Sequence, residues 1–376
     1  MRNVLFVLYC DFASNSALHV HSVVNELCQL GFDCAVAVPE NKALVATLGR
    51  ALYRPLEFGE AETLSQAFAN GEGPQIVHSW TPREIVRQFC ERLSARYQFK
   101  QFIHLEDNEE HLVEKLYGQA AGADFPLSLS HPVHYRQFLQ QAAGVTVIIE
   151  KLRDFVPTGV PVMTLWPGVD PAEFYPRAPN PQLARQLNLP IGGTTIVYPG
   201  NVHAANAREV RSLYLAVAML NREGHPTCLV RTGQDFCEYL GDEGRWVKPY
   251  VRELGFVARE RMPEVLALAD LFVQPGRADR FNEYRFPSKL PEFLAMGKPV
   301  ILPASNIGRA MTNEYHACLL EQADAVRIVE CVKRIHQDRE LQAKLSAGAI
   351  EFAQTYLSWP RQAARLRDFY LQAEHQ

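Results

Sequence analysis

Short apolar runs, each closed by polar or turn-forming residues, recur along the whole chain at intervals that fit strands alternating with helices. In the first half they fall at residues 3–8, 34–38, 75–78, 101–104, 144–149 and 162–165. Between them, residues 17–30 and 83–93 carry apolar positions at helical spacing, and shorter helices fit residues 41–48, 63–70 and 150–155. Gly31 and Pro39 close the first helix and the second strand. Nearly continuous apolar strands with helices between them predict a parallel sheet covered on both faces. The rhythm restarts after a segment containing Pro179, Pro181 and Pro190, which reads as a linker. Strands are then expected at 195–198, 227–231, 250–254, 271–273, 299–302 and 318–320, with helices at 208–222, 262–269 and 288–296. The expectation is α/β throughout, with two doubly wound Rossmann-like domains facing across a cleft, residues 1–177 and 178–355. Residues 356–376 are expected to form a closing helix.

The most informative stretch runs from Asp270 to Leu302. Its strand stops at Pro275-Gly276, an arginine-bearing loop follows, and Pro287 is placed to start a helix that Gly297 and Pro299 end. Ligands of open α/β sheets bind at the carboxyl ends of strands, where this loop lies. Lys289, in the first expected helical turn, suits a diphosphate, and Glu292, three residues on, suits ribose hydroxyls. A surface Lys–Glu pair is the plain alternative. In the first half, polar groups at expected strand ends are His78 and the pair Glu106-Asp107. A structural histidine is the plain reading of the first, and Glu109-Glu110, which end the same acidic run, read plainly as the favourable start of the next helix.

At 376 residues, two domains are expected. A net charge of −4 gives no electrostatic case for nucleic acid. The eight cysteines include no CxxC pair and lie largely in apolar runs, so they read as reduced core residues of a cytoplasmic protein. The apolar run at 3–8 is too short for a signal peptide, and no stretch approaches a membrane span. Docking on a membrane surface stays open.

Several spaced motifs carry a family resemblance along nearly the whole chain. They are Ile76-Val77-His78 through Pro82, Trp166-Pro167-Gly168-Val169-Asp170 with Phe174 and Pro176, and Tyr198-Pro199-Gly200. Leu254-Gly255-Phe256-Val257 follows, then Ala269-Asp270, Phe286-Pro287-Ser288-Lys289-Leu290 with Glu292, Gly297-Lys298-Pro299-Val300, and Ser358-Trp359 before a last amphipathic helix. Together they resemble the retaining glycosyltransferases of GT-B architecture known as family 4, or glycosyltransferase group 1. The resemblance implies sugar transfer from a nucleoside diphosphate sugar, a UDP-sugar by family frequency, without a metal ion or other cofactor. The acceptor would be a saccharide or lipid-linked, in surface polysaccharide or glycolipid synthesis.

By the same resemblance, Lys289 neutralises the diphosphate, Glu292 holds the ribose, and the backbone of Phe256 and Val257 meets the base. Gly200 and Asn201 let main chain approach the phosphates, and Pro287, Ser288 and Leu290 frame Lys289. His78, Glu106 and Asp107 would position sugar and acceptor. Three departures stand out. Asn201 and Asn206 occupy the positions of a family Arg and Lys, Tyr284 replaces a Glu that neighbouring Glu283 could supply, and Ala13-Ser14-Asn15-Ser16 replaces paired glycines. Compensating charge would come from Arg231, Arg277, Arg280 or Arg285, with Arg285 ranked first as nearest to Lys289. A catalytically silent nucleotide- or partner-binding protein, or a sugar-nucleotide epimerase, are the alternatives.

Overall fold

A computed structural model describes residues 2–117 and 125–374, which divide into two compact units. The first holds residues 1–168, 284–286 and 359–376, and the second holds 169–283 and 287–358. The chain thus passes between units at Gly168–Val169, ahead of the position near 177 expected from the linker prolines.

Seven strands form the first sheet: β1 (Asn3–Leu8), β2 (Asp33–Val38), β3 (Arg54–Glu57), β4 (Ile76–Trp80), β5 (Lys100–Leu105), β6 (Gly144–Val147) and β7 (Val162–Thr164). Their order is β3-β2-β1-β4-β5-β6-β7 and every pairing is parallel. Chain order reverses direction between β1 and β4, which makes their carboxyl ends the place for a ligand. Edge strand β3 has no apolar run to announce it. It is only half-buried, and Pro55 is tolerated because an edge strand lacks a second neighbour. Residues 42–48 and 58–67 form 3₁₀ turns rather than the short helices expected nearby.

The helix Asn15–Gln29 starts at Ser14, whose side chain accepts the Ala17 N–H, and Gly31 follows its end at φ +90°. Its buried face (Ala17, Val20, Val24, Leu27) meets the final helix Trp359–Glu374 through Ala363, Leu366 and Tyr370. The spacing of those three gives one apolar stripe, and each large side chain it buries is worth about 1.5–3 kcal/mol. The last helix is therefore part of the first unit's core.

The second sheet contains β8 (Thr194–Tyr198), β9 (Thr227–Arg231), β10 (Val251–Glu253), β11 (Leu271–Val273), β13 (Val300–Pro303) and β14 (Cys318–Leu320). Its order is β10-β9-β8-β11-β13-β14, all parallel, so the reversal falls between β8 and β11. Short β12 (Gly276–Arg277) and β15 (Gln322–Ala323) pair antiparallel beside it. The core collects β8, β9 and β11 with the helices Ala207–Arg222 and Ala325–Gln337.

Two expectations are corrected in this unit. The helix after the arginine-bearing loop is Leu290–Ala295, with Pro291 rather than Pro287 in its first turn and Lys289 at the N-cap position. Pro287 belongs to the preceding turn, its carbonyl accepting the Leu290 N–H at 2.9 Å. Gly297 does end the helix, at φ +66°, where a Cβ would stand 2.8 Å from Ile350 and Pro176 side-chain carbons. Cys318 and Cys331 are bonded as a disulfide rather than reduced, because the chain turns back from β14 through β15 into the helix Ala325–Gln337. The other six cysteines are free thiols. Among the described residues no helix is long and apolar enough to cross a membrane.

Candidate functional site

In the second unit three glycine turns close the ends of β8, β9 and β10, and they are tied to one another. Gly200 N–H donates to Thr232 O at 3.2 Å, and Gly233 N–H donates to Gly255 O at 2.7 Å. Val202 N–H reaches Gln234 O at 2.9 Å, and Phe236 N–H returns to Val202 O at 2.8 Å. Gly200, Gly233 and Gly255 adopt φ of +122°, +95° and +64°, a region only glycine occupies freely. A Cβ on Gly233 would press on Gly200 backbone at 2.5 Å, so the turns are packed main chain against main chain.

Lys289 stands over this platform. Its Nζ lies 3.9 Å from the centroid of the Tyr198 ring and 3.1 Å from where a Gly200 Cβ would be. Among the described residues it forms no ion pair. The ammonium is thus held at the β8–β11 reversal by a ring face, a contact that leaves its charge available. Asn201 N–H donates to no protein acceptor among the described residues, while its side-chain oxygen accepts Gln234 N–H at 2.8 Å. Asn206 is spent on the same turn, bonding Asn201 O at 3.1 Å and His203 N–H at 2.8 Å. The two asparagines thus build the loop.

The remaining expected residues are dispersed. Glu292 Oε1 accepts Arg259 Nη1 at 2.9 Å, and burial raises its pKa against the pull of Arg259 and Lys289. Arg259 also stands 3.7 Å from Glu173. Phe256 is 82% exposed and Val257 half-buried at the Gly255 turn. Ser288 is exposed, whereas Pro287 and Leu290 are buried. Arg231 does not supply free charge, because its guanidinium is 3% exposed and paired with Asp235. Glu283 is likewise engaged, by Arg309 at 2.7 and 3.1 Å. Arg285, ranked first as the compensating cation, falls in the first unit, where its charge lowers the Asp107 pKa.

The first unit has its own polar cluster at the β1–β4 reversal. Glu106, just past β5, accepts Trp80 Nε1 at 2.7 Å and the Ser16 hydroxyl, with His19 Nδ1 3.8 Å away. Burial would raise its pKa, but His19, His104 and Ser16 together pull it down to about 2. Asp107 is pushed the other way. Burial and the charges of Glu109 and Glu106 raise it to about 7, against the downward pull of Arg83 and Arg285. Arg83 faces both acids, 3.9 Å from Asp107 and 3.5 Å from Glu109, and lies 3.8 Å over the Tyr9 ring.

His78 is a correction. β4 continues to Trp80, so His78 sits mid-strand rather than at its end, and it is fully buried. Nδ1 bonds Tyr370 hydroxyl at 2.6 Å and Nε2 bonds Thr146 hydroxyl at 3.0 Å. Burial and His104 hold its pKa well below the ordinary histidine value, so it is a neutral core residue that fastens the last helix to the sheet. Glu109 reads in sequence as an acidic helix start and does begin the helix Glu109–Leu116, whereas Tyr9 and Arg83 escaped sequence reasoning. Their one sequence signal is position just after a strand, which many structural residues share. Among the described residues no group of three His, Cys, Asp or Glu side chains is placed to hold a metal ion.

Residues 193–338 match a family model described as Glycosyl transferases group 1. No curated protein sequence is significantly similar to the chain. Among solved structures, Anabaena HepE in complex with UDP superposes with a TM-score of 0.76 at 13% identity, covering 99% of this chain and 100% of that one. Sucrose-phosphate synthase from Thermosynechococcus elongatus gives 0.68 at 17% identity and 99% of each chain. A glycosyltransferase from Rickettsia africae gives 0.72 at 12% identity, 99% of this chain and 98% of that one. The fold is GT-B. Within it, the group 1 match spans β8 to the helix Ala325–Gln337 and takes in the glycine platform and Lys289.

Proposed function

We propose that this GT-B protein transfers a sugar from a nucleoside diphosphate donor, whose diphosphate is held in the second unit at the β8–β11 reversal. The observation that carries the reading is Lys289, an ammonium without an ion pair among the described residues, poised over Tyr198 beside the Gly200 turn. A departing diphosphate gains negative charge, which a fixed cation and a spare peptide N–H absorb at no reorganisation cost. Lys289 and the Asn201 N–H are those groups. Glu292, about one turn deeper, is suited to ribose hydroxyls in exchange for part of its bond to Arg259.

Anabaena HepE, similar in fold, is seen with UDP and with UDP-glucose, and supports a UDP-sugar as donor. The resemblance to family 4 supports retention without a metal ion. The acceptor oxygen adds to the anomeric carbon on the face the diphosphate leaves, and its proton passes to the departing phosphate oxygen. A saccharide or lipid-linked acceptor, used at a cytoplasmic membrane surface in polysaccharide or glycolipid synthesis, completes the proposal. Neutral Asn201 and Asn206, with Arg231 engaged by Asp235, favour the competing reading of a silent nucleotide-binding protein. Incubation with UDP-glucose and chromatography of released UDP separates the two. Release that disappears in Lys289→Ala supports transfer chemistry, whereas UDP binding without any release sinks it.

A further inference from the structure

Arg83 is held in the first unit by two long ion pairs and a ring face. Its side chain is 11% exposed, yet among the described residues it donates no hydrogen bond. Its contacts with Asp107 at 3.9 Å and Glu109 at 3.5 Å are too long for hydrogen bonds, and its plane rests on Tyr9. Close by in the chain, Thr81 Oγ1 is buried without a partner, and so is Glu109 Oε1, although Glu109 Oε2 accepts the Ser130 hydroxyl at 2.8 Å. Buried donors and acceptors left unmatched cost about 1–3 kcal/mol each, so a cluster of them points to a ligand that completes it.

The chemistry of that ligand follows from the mixture of signs. Glu106, Asp107 and Glu109 supply carboxyl groups, while Arg83 and Arg285 supply guanidinium groups, with His19 beside Glu106. An anion would meet the carboxylates and a cation the guanidinium groups, so either is opposed by half of the cluster. A hydroxyl both donates and accepts. Adjacent hydroxyls of a sugar ring can take N–H donors from Arg83 and give their own protons to Asp107 and Glu109. The planar fork of an arginine suits such paired contacts better than a lysine would.

We propose that the carboxyl ends of β1, β4 and β5 bind an uncharged pyranose through Arg83, Asp107 and Glu109, and that Arg83 determines this preference in the acceptor. The inference rests on the glycosyltransferase reading and names its acceptor class. It is tested on the full chain by saturation-transfer NMR with methyl β-D-glucopyranoside, glucuronic acid and glucosamine, alongside calorimetry with UDP. The expected result is strongest signal from the methyl glucoside, lost in Arg83→Ala and partly recovered in Arg83→Lys. UDP affinity should stay within about twofold in both variants. If Arg83→Ala fails to fold, as its melting curve would show, Glu109→Gln makes the same comparison.

Unchanged methyl glucoside signal in the variants overturns the inference. So does stronger binding of glucuronic acid or glucosamine, or no pyranoside signal from the wild type. A wild type that binds the methyl glucoside but no UDP instead contradicts the donor reading and leaves the pyranose site standing.

Discussion

Gly233→Ala tests whether the donor platform depends on main chain packed against main chain. The added Cβ would stand 2.5 Å from the Gly200 carbonyl carbon, 2.6 Å from its oxygen and 2.9 Å from the Asn201 nitrogen. All three are backbone atoms, so no side-chain rotation relieves the clash, and displacing a packed neighbour costs about 1–3 kcal/mol. The φ of +95° adds about 1–2 kcal/mol for a residue with a Cβ. Gly255→Ala is the internal control. It too has positive φ, +64°, but nothing lies within 4 Å of its Cβ, so only the backbone cost of about 1–2 kcal/mol applies. The predicted gap between the variants is therefore about 1–3 kcal/mol. Trp246 is the one tryptophan of the second unit, and its fluorescence during denaturant unfolding reports that unit. Gly233→Ala should also weaken UDP binding by about tenfold or more, because the Gly200 turn must shift. Equal destabilisation by the two substitutions, with UDP affinity intact in both, would refute the interlocked platform.

Tyr370→Phe removes the hydroxyl 2.6 Å from His78 Nδ1 and strands a buried ring nitrogen, so it should lower stability by about 1–3 kcal/mol in thermal unfolding. No change would mean that the last helix is held by its apolar stripe alone. Glu106, with its pKa depressed to about 2 from an ordinary value of 4.5, stabilises the fold above pH 4.5 and loses that contribution as pH falls toward 2. The stability gap between wild type and Glu106→Gln should then be about 3 kcal/mol near neutrality and close across that acid range. A gap independent of pH contradicts the assignment. Arg285→Ala should leave UDP affinity within about twofold, because Arg285 belongs with Asp107 in the first unit. A tenfold loss would restore it to the diphosphate.

Both sheets were legible because parallel strands buried on two faces leave apolar runs, and Gly31, Gly200 and Gly297 mark the turns between elements. β3 was not, since an edge strand of Arg54-Pro55-Leu56-Glu57 carries no apolar signal. Lys289 was legible through its place after β11 between a proline-bearing loop and a glycine stop. His78 was misread because a strand's length cannot be fixed from polar residues at its end, and two more residues of β4 turn a strand end into a core position. Arg83 looks in sequence like Arg87, which pairs with Glu84 at 2.8 Å on the same helix. Only folding shows that one is satisfied and the other is not. Arg285 was ranked by nearness along the chain, whereas charge acts through space. The interlock of Gly200 with Gly233 joins turns more than thirty residues apart and has no local signature.

The most direct measurement is calorimetric titration of the wild type and Lys289→Ala with UDP. The donor site described here predicts that UDP binds the wild type and that the variant, melting at the same temperature, loses about tenfold or more in affinity. Equal affinity in the two proteins would contradict it, and the β8–β11 reversal would no longer be the seat of the diphosphate.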